Sequence, residues 1–354
     1  MKKILAMILA LVMVFALCAC GQKAAAPAAA PAAAEAPAAA PAEETSDEVF
    51  YIKVGTTAPL TTHMYTNSVK FIEILKEISG GKMDGEVVGA GALGSSVEHY
   101  SQLAQGTLDM FPTGFDTATV LKNADDLFVT TVPYVFDDLD HYHKFAESDV
   151  LKEILEKIEE PNGVKYLGLM GDMFPRQLTT TNKAITTPAD LKNVKMRTPE
   201  SPAITAIWKA WGCNPMQVSA SELYSALESG LCDGQDNDVV YSYNSSYYEI
   251  EKYDTELDYM QQALVVFFSQ KTWDKMNDQQ RAWVMEAIEK AEKFCTDEAM
   301  QEYADCKAKA IEQGCTFVEF DKDAFKEAAV QVGYELDGTL FSEGLYDKVR
   351  ALAD

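Results

Sequence analysis

Phe174-Pro175-Arg176-Gln177-Leu178-Thr179-Thr180-Thr181, Val194-Lys195-Met196-Arg197-Thr198-Pro199, Ser219-Ala220-Ser221-Glu222-Leu223-Tyr224-Ser225-Ala226-Leu227 and Gly230-Leu231-Cys232-Asp233-Gly234-Gln235-Asp236-Asn237 follow one another between residues 174 and 241. Two arginines and one asparagine stand in these four pieces, among apolar segments. Between the first two pieces, Thr187-Pro188-Ala189-Asp190 combines an N-cap residue, a proline suited to the first helical position and an acid in the first turn, so a short helix starts there. Ser219-x-x-Glu222 has capping-box spacing, and Leu223, Ala226 and Leu227 form one apolar stripe. Gly230 stands where a helix needs a left-handed residue to stop. That predicts a second helix of roughly three turns. Val194-Lys195-Met196 reads as a strand, which puts Arg197 at a strand end, where α/β proteins gather ligand-binding groups. Its planar fork of donors suits a carboxylate at two points.

Outward toward the N-terminus, the pattern alternates. Phe50 to Gly55 reads as a strand, and its C-terminal loop carries Thr57 at a cleft position. Met64 to Ile78 repeats apolar residues at helical spacing and stops at Gly80-Gly81. Asp84 to Val88 is a second strand, Val97 to Gly106 a second helix and Leu108 to Pro112 a third strand. This β-α-β-α-β rhythm argues for a parallel sheet and an α/β fold. Leu127 to Phe136 is apolar and broken by Pro133. Asp137 to His143 offers two histidines but no third ligand, so a solvated helix start is expected there rather than a metal site. Val164 to Met170 is a buried strand that delivers the chain to Arg176.

Toward the C-terminus, Tyr241, Tyr243, Tyr247 and Tyr248 could line a pocket or fill a seam; large rings mostly pack, which favours the seam. Leu264 to Phe268 is a central strand. From the cap at Asn277 to Gly314 no proline interrupts the pattern, and one helix of about 50 Å is expected. The tail from Thr316 to Asp354 should add a strand and one or two helices.

The extreme N-terminus is of another kind. Lys2 and Lys3 precede an apolar run from Ile4 to Leu17, too short to span a bilayer and shaped like a secretory leader. Leu17-Cys18-Ala19-Cys20 looks like a lipobox, in which Cys20 becomes the lipidated first residue and ties the protein to the membrane; an ordinary cleaved leader is the alternative. Residues 21–48 are rich in Ala, Pro and Glu and read as an extended tether.

The chain has 354 residues, 30 basic against 55 acidic, for a net charge of −25. That balance excludes nucleic acid as a partner, and any positive field for an anion must be local. Cys213, Cys232, Cys295, Cys306 and Cys315 are an odd number without metal-like spacing. Mostly buried thiols are expected, with a Cys213–Cys232 bridge left open. No metal or other cofactor is expected.

Taken together, the pieces resemble the solute-binding proteins of tripartite ATP-independent periplasmic (TRAP) transporters. Arg176 to Thr179, Thr187 to Lys192, Met196 to Pro199, Glu222 to Leu227 and Gly230 to Asn237 reproduce that family's motifs in order. Upstream, Phe71-Ile72-Glu73, Gly80-Gly81-Lys82, Ala92-Leu93-Gly94 and Gly106-Thr107-Leu108-Asp109 are similar too. The resemblance implies two α/β domains with a cleft between them, bridged by crossing strands and a long spanning helix. Domain I would be 49–173 completed by about 263–302, and domain II 174–262 completed by about 303–354. It also implies a monomer that closes on a small organic acid and offers it to a membrane permease driven by an ion gradient. Arg197 would be the carboxylate anchor, Arg176 a second positive group and Asn237 an amide donor, with Gln235, Thr57, Phe174 and Tyr241 completing the site. Where the family has Glu-Asn-Pro this chain has Asp236-Asn237-Asp238, so the rigid turn after Asn237 is lost. Met173 and Phe174 hint at an apolar wall and a mono-acid ligand. Two other readings compete: a binding protein of another transporter or sensor system, and an exported enzyme. The enzyme lacks support from a Gly-x-Ser-x-Gly elbow, a His-Glu-x-x-His helix or a phosphate loop.

Overall fold

The computed structural model describes residues 48–293 and 297–353. The leader, Cys20, the tether and Cys295 lie outside the described residues. Two sheets organise the rest. The first has the order β2-β1-β3-β10-β4, with β1 Phe50–Gly55, β2 Met83–Val88, β3 Met110–Thr113, β4 Val164–Met173 and β10 Gln262–Ser269. The second runs β11-β9-β5-β8-β6-β7, with β5 Leu178–Thr180, β6 Lys195–Thr198, β7 Asn214–Gln217, β8 Gly234–Gln235, β9 Tyr253–Thr255 and β11 Thr316–Phe317.

Helices α1 (His63–Ile78) and α2 (Ser96–Gln105) make the crossovers that join β1, β2 and β3. Those three strands are parallel, as the alternating pattern predicts. The sheet as a whole is mixed, because β10 enters antiparallel between β3 and β4. Every residue of β10 is buried, which explains its unbroken apolar run: a central strand covered on both faces has no solvent side to alternate with. Its return from the second sheet sets its direction, a long-range fact that local periodicity does not carry.

The chain passes between the sheets at 174–177 and again at 256–261, and these two segments bond to each other. Gln177 Nε2 donates to Asp258 Oδ1 at 2.6 Å, the Asp258 amide donates to Gln177 Oε1 at 3.1 Å and the Arg176 amide donates to the Met260 carbonyl. Tyr134, from the proline-broken segment, donates its hydroxyl to the Leu257 carbonyl at 2.7 Å and fixes the same crossing.

The expected 50 Å helix is instead two helices, Asp278–Glu292 and Asp297–Glu312. The first buries Val284, Ala287, Ile288 and Ala291 in the core of the first sheet, whereas Cys306 and Ala310 of the second pack with Val239, Val240 and Tyr248. Each half thus follows its own sheet. The sequence Thr296-Asp297-Glu298 carries a cap-type residue followed by acids, a start signal that the unbroken apolar spacing obscured.

His141 is buried rather than on a solvated face, with Nε2 at 2.8 Å from the Val349 carbonyl. Asp138 caps that helix, Leu139–Ala146, by accepting from the His141 amide. Cys213 and Cys232 are both free and buried, so the bridge left open is not formed. The tail supplies β11 and the helices Lys322–Leu336 and Leu345–Arg350, which bury Phe325, Ala329, Tyr346 and Val349.

Candidate functional site

A cleft opens between the C-terminal ends of β1 and β3 on one side and those of β6 and β8 on the other. Thr57, Arg176, Arg197, Asn237 and Tyr241 all line it, so five of the seven residues expected at the site share one hollow. Gln235 and Phe174 do not.

Arg197 stands on β6 opposite Met216 and is 3% exposed. Its Nε donates to the Val218 carbonyl at 2.9 Å. No carboxylate lies within 4.0 Å of it among the described residues, and its two terminal nitrogens have no protein acceptor. Burial lowers its pKa, which the negative potential of Tyr247, Asp236 and Tyr241 only offsets. Asp190 and Glu222, which could have neutralised it, are engaged elsewhere. Asp190 accepts from the amides of Thr186 and Thr187, both at 3.1 Å, and Glu222 from the Ser219 hydroxyl at 2.8 Å. The capping box expected at Ser219 is thereby replaced by a side-chain pair, and the helix starts as a 3-10 turn, Ala220–Glu222, before Leu223–Glu228. Its stop is as expected, with Gly230 at φ +70°.

Arg176 is different. Nη2 donates to Asp236 Oδ1 at 2.8 Å and Nε to Oδ2 at 3.2 Å, while Nη1 lies 3.9 Å from Asp116 Oδ2. Burial alone would lower its pKa, but Asp236, Tyr259 and Asp116 hold it above the ordinary value. Asp236 is fully buried and also accepts from Trp208 Nε1 at 3.0 Å and from the Tyr259 hydroxyl. Arg176 therefore arrives at the cleft already neutralised, not as the spare cation its sequence position suggested.

The backbone amide of Asn237 and its Nδ2 both donate to Gln235 Oε1, each at 2.6 Å. Gln235 itself is fully buried behind the cleft and donates from Nε2 to Thr179 Oγ1, Ser242 Oγ and Glu251 Oε2. It orients Asn237 rather than lining the cleft. One hydrogen of Asn237 Nδ2 is thus spent inward, which leaves its second hydrogen as a donor and Oδ1 as an acceptor. The turn after Asn237 survives without proline: Asp238 has φ −70°, within proline's range, and its side chain accepts from the Tyr241 amide at 2.8 Å. That cap fixes the helix Val239–Asn244 and sets Tyr241 against the cleft.

Phe174 points away, packing edge-on against His63 at 5.6 Å and near Tyr303 at 5.0 Å. The apolar wall is formed by Met173 and Met64 instead. Tyr247 packs with Leu223, Ala226 and Leu227 and Tyr248 with Val239, Val240 and Ala310, both buried, whereas Tyr241 faces the hollow.

Sequence reading missed Asp116 and Gln262. Both line the cleft, and Gln262 Nε2 donates to Asp116 Oδ1 at 3.3 Å. Asp116 just follows β3, the same strand-end position that singled out Arg197, so the rule that found one would have found the other. The glycine before it had meaning too: a Cβ on Gly114 would sit 2.3 Å from Asp116 Oδ1. Across the mouth, Ser201 Oγ donates to the Asp116 carbonyl at 2.9 Å and lies 3.3 Å from Thr119 Oγ1.

Known proteins share this fold. The family model for bacterial extracellular solute-binding proteins, family 7, matches residues 54–336. A TRAP periplasmic solute-binding protein of Roseobacter denitrificans, solved with bound L-galactonate, superposes with a TM-score of 0.79 at 26% identity, covering 87% of this chain and 100% of that one. One from Citrobacter koseri with bound D-glucuronate gives 0.76 at 26% identity, covering 86% and 99%. The 2,3-diketo-L-gulonate-binding periplasmic protein of Escherichia coli is 25% identical over 84% of this chain and 85% of its own. With the family model covering most of the chain and the strand-end arginine standing unpaired in the cleft, this protein belongs to the bacterial extracellular solute-binding proteins of family 7, the ligand-capturing subunits of TRAP transporters.

Proposed function

We propose that the protein captures a small organic acid outside the cytoplasmic membrane, with the carboxylate held at two points by Arg197, and presents it to a TRAP-type permease. One observation carries this reading: a 97% buried guanidinium with no anionic partner, facing a cleft between two sheets. Such a group is costly to leave uncompensated, so an incoming carboxylate replaces lost hydration with charge-assisted hydrogen bonds. Asn237 and Tyr241 orient the remainder of the ligand, and Thr57 reaches it from the opposite wall. One closing lobe is built on the first sheet, residues 49–173 with about 263–302, and the other on the second, 174–262 with about 303–354, and the end of the tail reaches back to the first through His141 and the Val349 carbonyl. The hydrogen-bonded crossings at 174–177 and 256–261 serve as the hinge.

Lipidation at Cys20 would hold a monomer beside its permease on a tether about as long as the 21–48 segment allows. Relatives solved with L-galactonate and D-glucuronate make acid sugars the first compounds to try. Mass spectrometry of whatever co-purifies, followed by a thermal-shift screen of organic acids, tests the reading. A ligand at a hundred times its Kd should add ~2.7 kcal/mol of stability. A protein that releases no acid on denaturation and is stabilised by none in the screen would refute it.

A further inference from the structure

Resting on that reading, we infer that Asp116 and Asp238 make the site selective for a singly charged acid whose far end is neutral or positive and donates hydrogen bonds. The charge inventory of the cleft leads there. Two arginines line it, but Asp236 pairs with Arg176 at two points, so one cation remains free. Against it stand three carboxyl groups around the same cleft: Asp116 beyond β3 on one side, and Glu200 and Asp238 beyond β6 and β8 on the other. Asp116 is 4% exposed and Asp238 6%. Burial pushes both carboxyls above the usual range, partly opposed by Arg176 at Asp116 and by His63 at Asp238. Neither has a lysine or a free arginine to share with a second anion.

A ligand that places one carboxylate on Arg197 therefore meets carboxyl oxygens along the rest of the cavity. Hydroxyl or ammonium groups would donate to them and repay their desolvation. A second carboxylate would be set beside buried carboxyl oxygens that offer it neither a cation nor a full set of donors, the unfavourable element by which a site rejects a near-isostere. The restriction thus comes from what the wall cannot neutralise, and it is independent of how well Arg197 grips the first carboxylate.

Matched pairs that differ only in one terminal group test this: lactate with malate, gluconate with glucarate, and galactonate with galactarate. Affinities of the purified protein are measured by calorimetry at pH 7.5, alongside Asp238→Asn and Asp116→Asn. Asparagine is itself a good N-cap, so Asp238→Asn keeps the helix start while removing the charge. For the pair that binds best, the mono-acid should bind at least ~30-fold tighter than its diacid, and each variant should narrow that ratio by roughly tenfold, chiefly by tightening the diacid. A wild-type protein that takes the diacid equally well overturns the inference. So does an unchanged ratio in Asp238→Asn that circular dichroism shows to be folded. If no acid of either kind binds, it is the organic-acid reading itself that fails.

Discussion

Arg176 and Asp236, sixty residues apart in sequence, meet as a two-point ion pair with contacts of 2.8 and 3.2 Å. That pairing decides the electrostatics of the cleft, because it removes one of two arginines from competition for an incoming anion. Trp208 and Tyr259 close the remaining valences of Asp236, so the pair is part of the scaffold. Asp236→Asn keeps the shape and strands a buried guanidinium. The expected loss is ~3–5 kcal/mol of stability, as for breaking one side of a buried pair. Urea unfolding should show it, and a midpoint equal to that of the wild type would mean that Arg176 finds its charge balance elsewhere.

Gln235 is the joint between core and cleft. Its Oε1 accepts from the Asn237 backbone amide and from Asn237 Nδ2, and its Nε2 reaches Thr179, Ser242 and Glu251. Gln235→Ala leaves several buried polar groups unpaired and should destabilise the fold by about 2–4 kcal/mol. It should also weaken ligand binding, because Asn237 loses its fixed orientation. Affinity unchanged in a folded Gln235→Ala would place Asn237 outside recognition.

Two buried carboxyls give the protein an unusual pH response. Burial pushes Glu251 up to about 8, against hydrogen bonds from Thr179 and Gln235, and Asp254 up to about 8, against one from Tyr248. Glu251 Oε1 and Asp254 Oδ1 are buried without a partner, as suits acids that hold a proton. In the unfolded chain both groups lose that proton near pH ~4. Between there and about pH 8 the folded state binds more protons, so stability falls as pH rises and levels off once the folded values are passed. Glu251→Gln should remove more than about 1 kcal/mol of the decline between pH 5 and 8. Denaturation curves across that range decide it; an identical slope in the variant would show that Glu251 is ionised in the folded protein.

Local signals carried much of this structure. The end of a strand announced Arg197, a glycine with φ of +70° stopped the helix before Gly234, and period and punctuation marked β1, α1, β2 and α2 within a residue or two. What was hidden in the sequence is long-range. Nothing near Arg176 tells that Asp236 will claim it, nothing near Leu264 tells that its strand will run against its neighbours, and nothing near Gln235 tells that Glu251 will draw it inward. The spacing around Asn277–Gly314 is apolar enough for one helix, yet its two halves serve two cores. Asp238 shows the opposite case: the missing proline looked like a lost turn, and a capping carboxylate with the same φ replaced it.

The central claim is that Arg197 holds the acid, and Arg197→Ala tests it most directly. Among the described residues the side chain makes one hydrogen bond, to Val218, so the variant should remain folded by circular dichroism. Titration calorimetry with the acid that stabilises the wild type should then show a loss of ~3–5 kcal/mol, about a hundred- to several-thousand-fold in Kd. Arg197→Lys should recover little of it, since the charge returns without the fork. An alanine variant that binds the same acid with wild-type affinity would contradict the account.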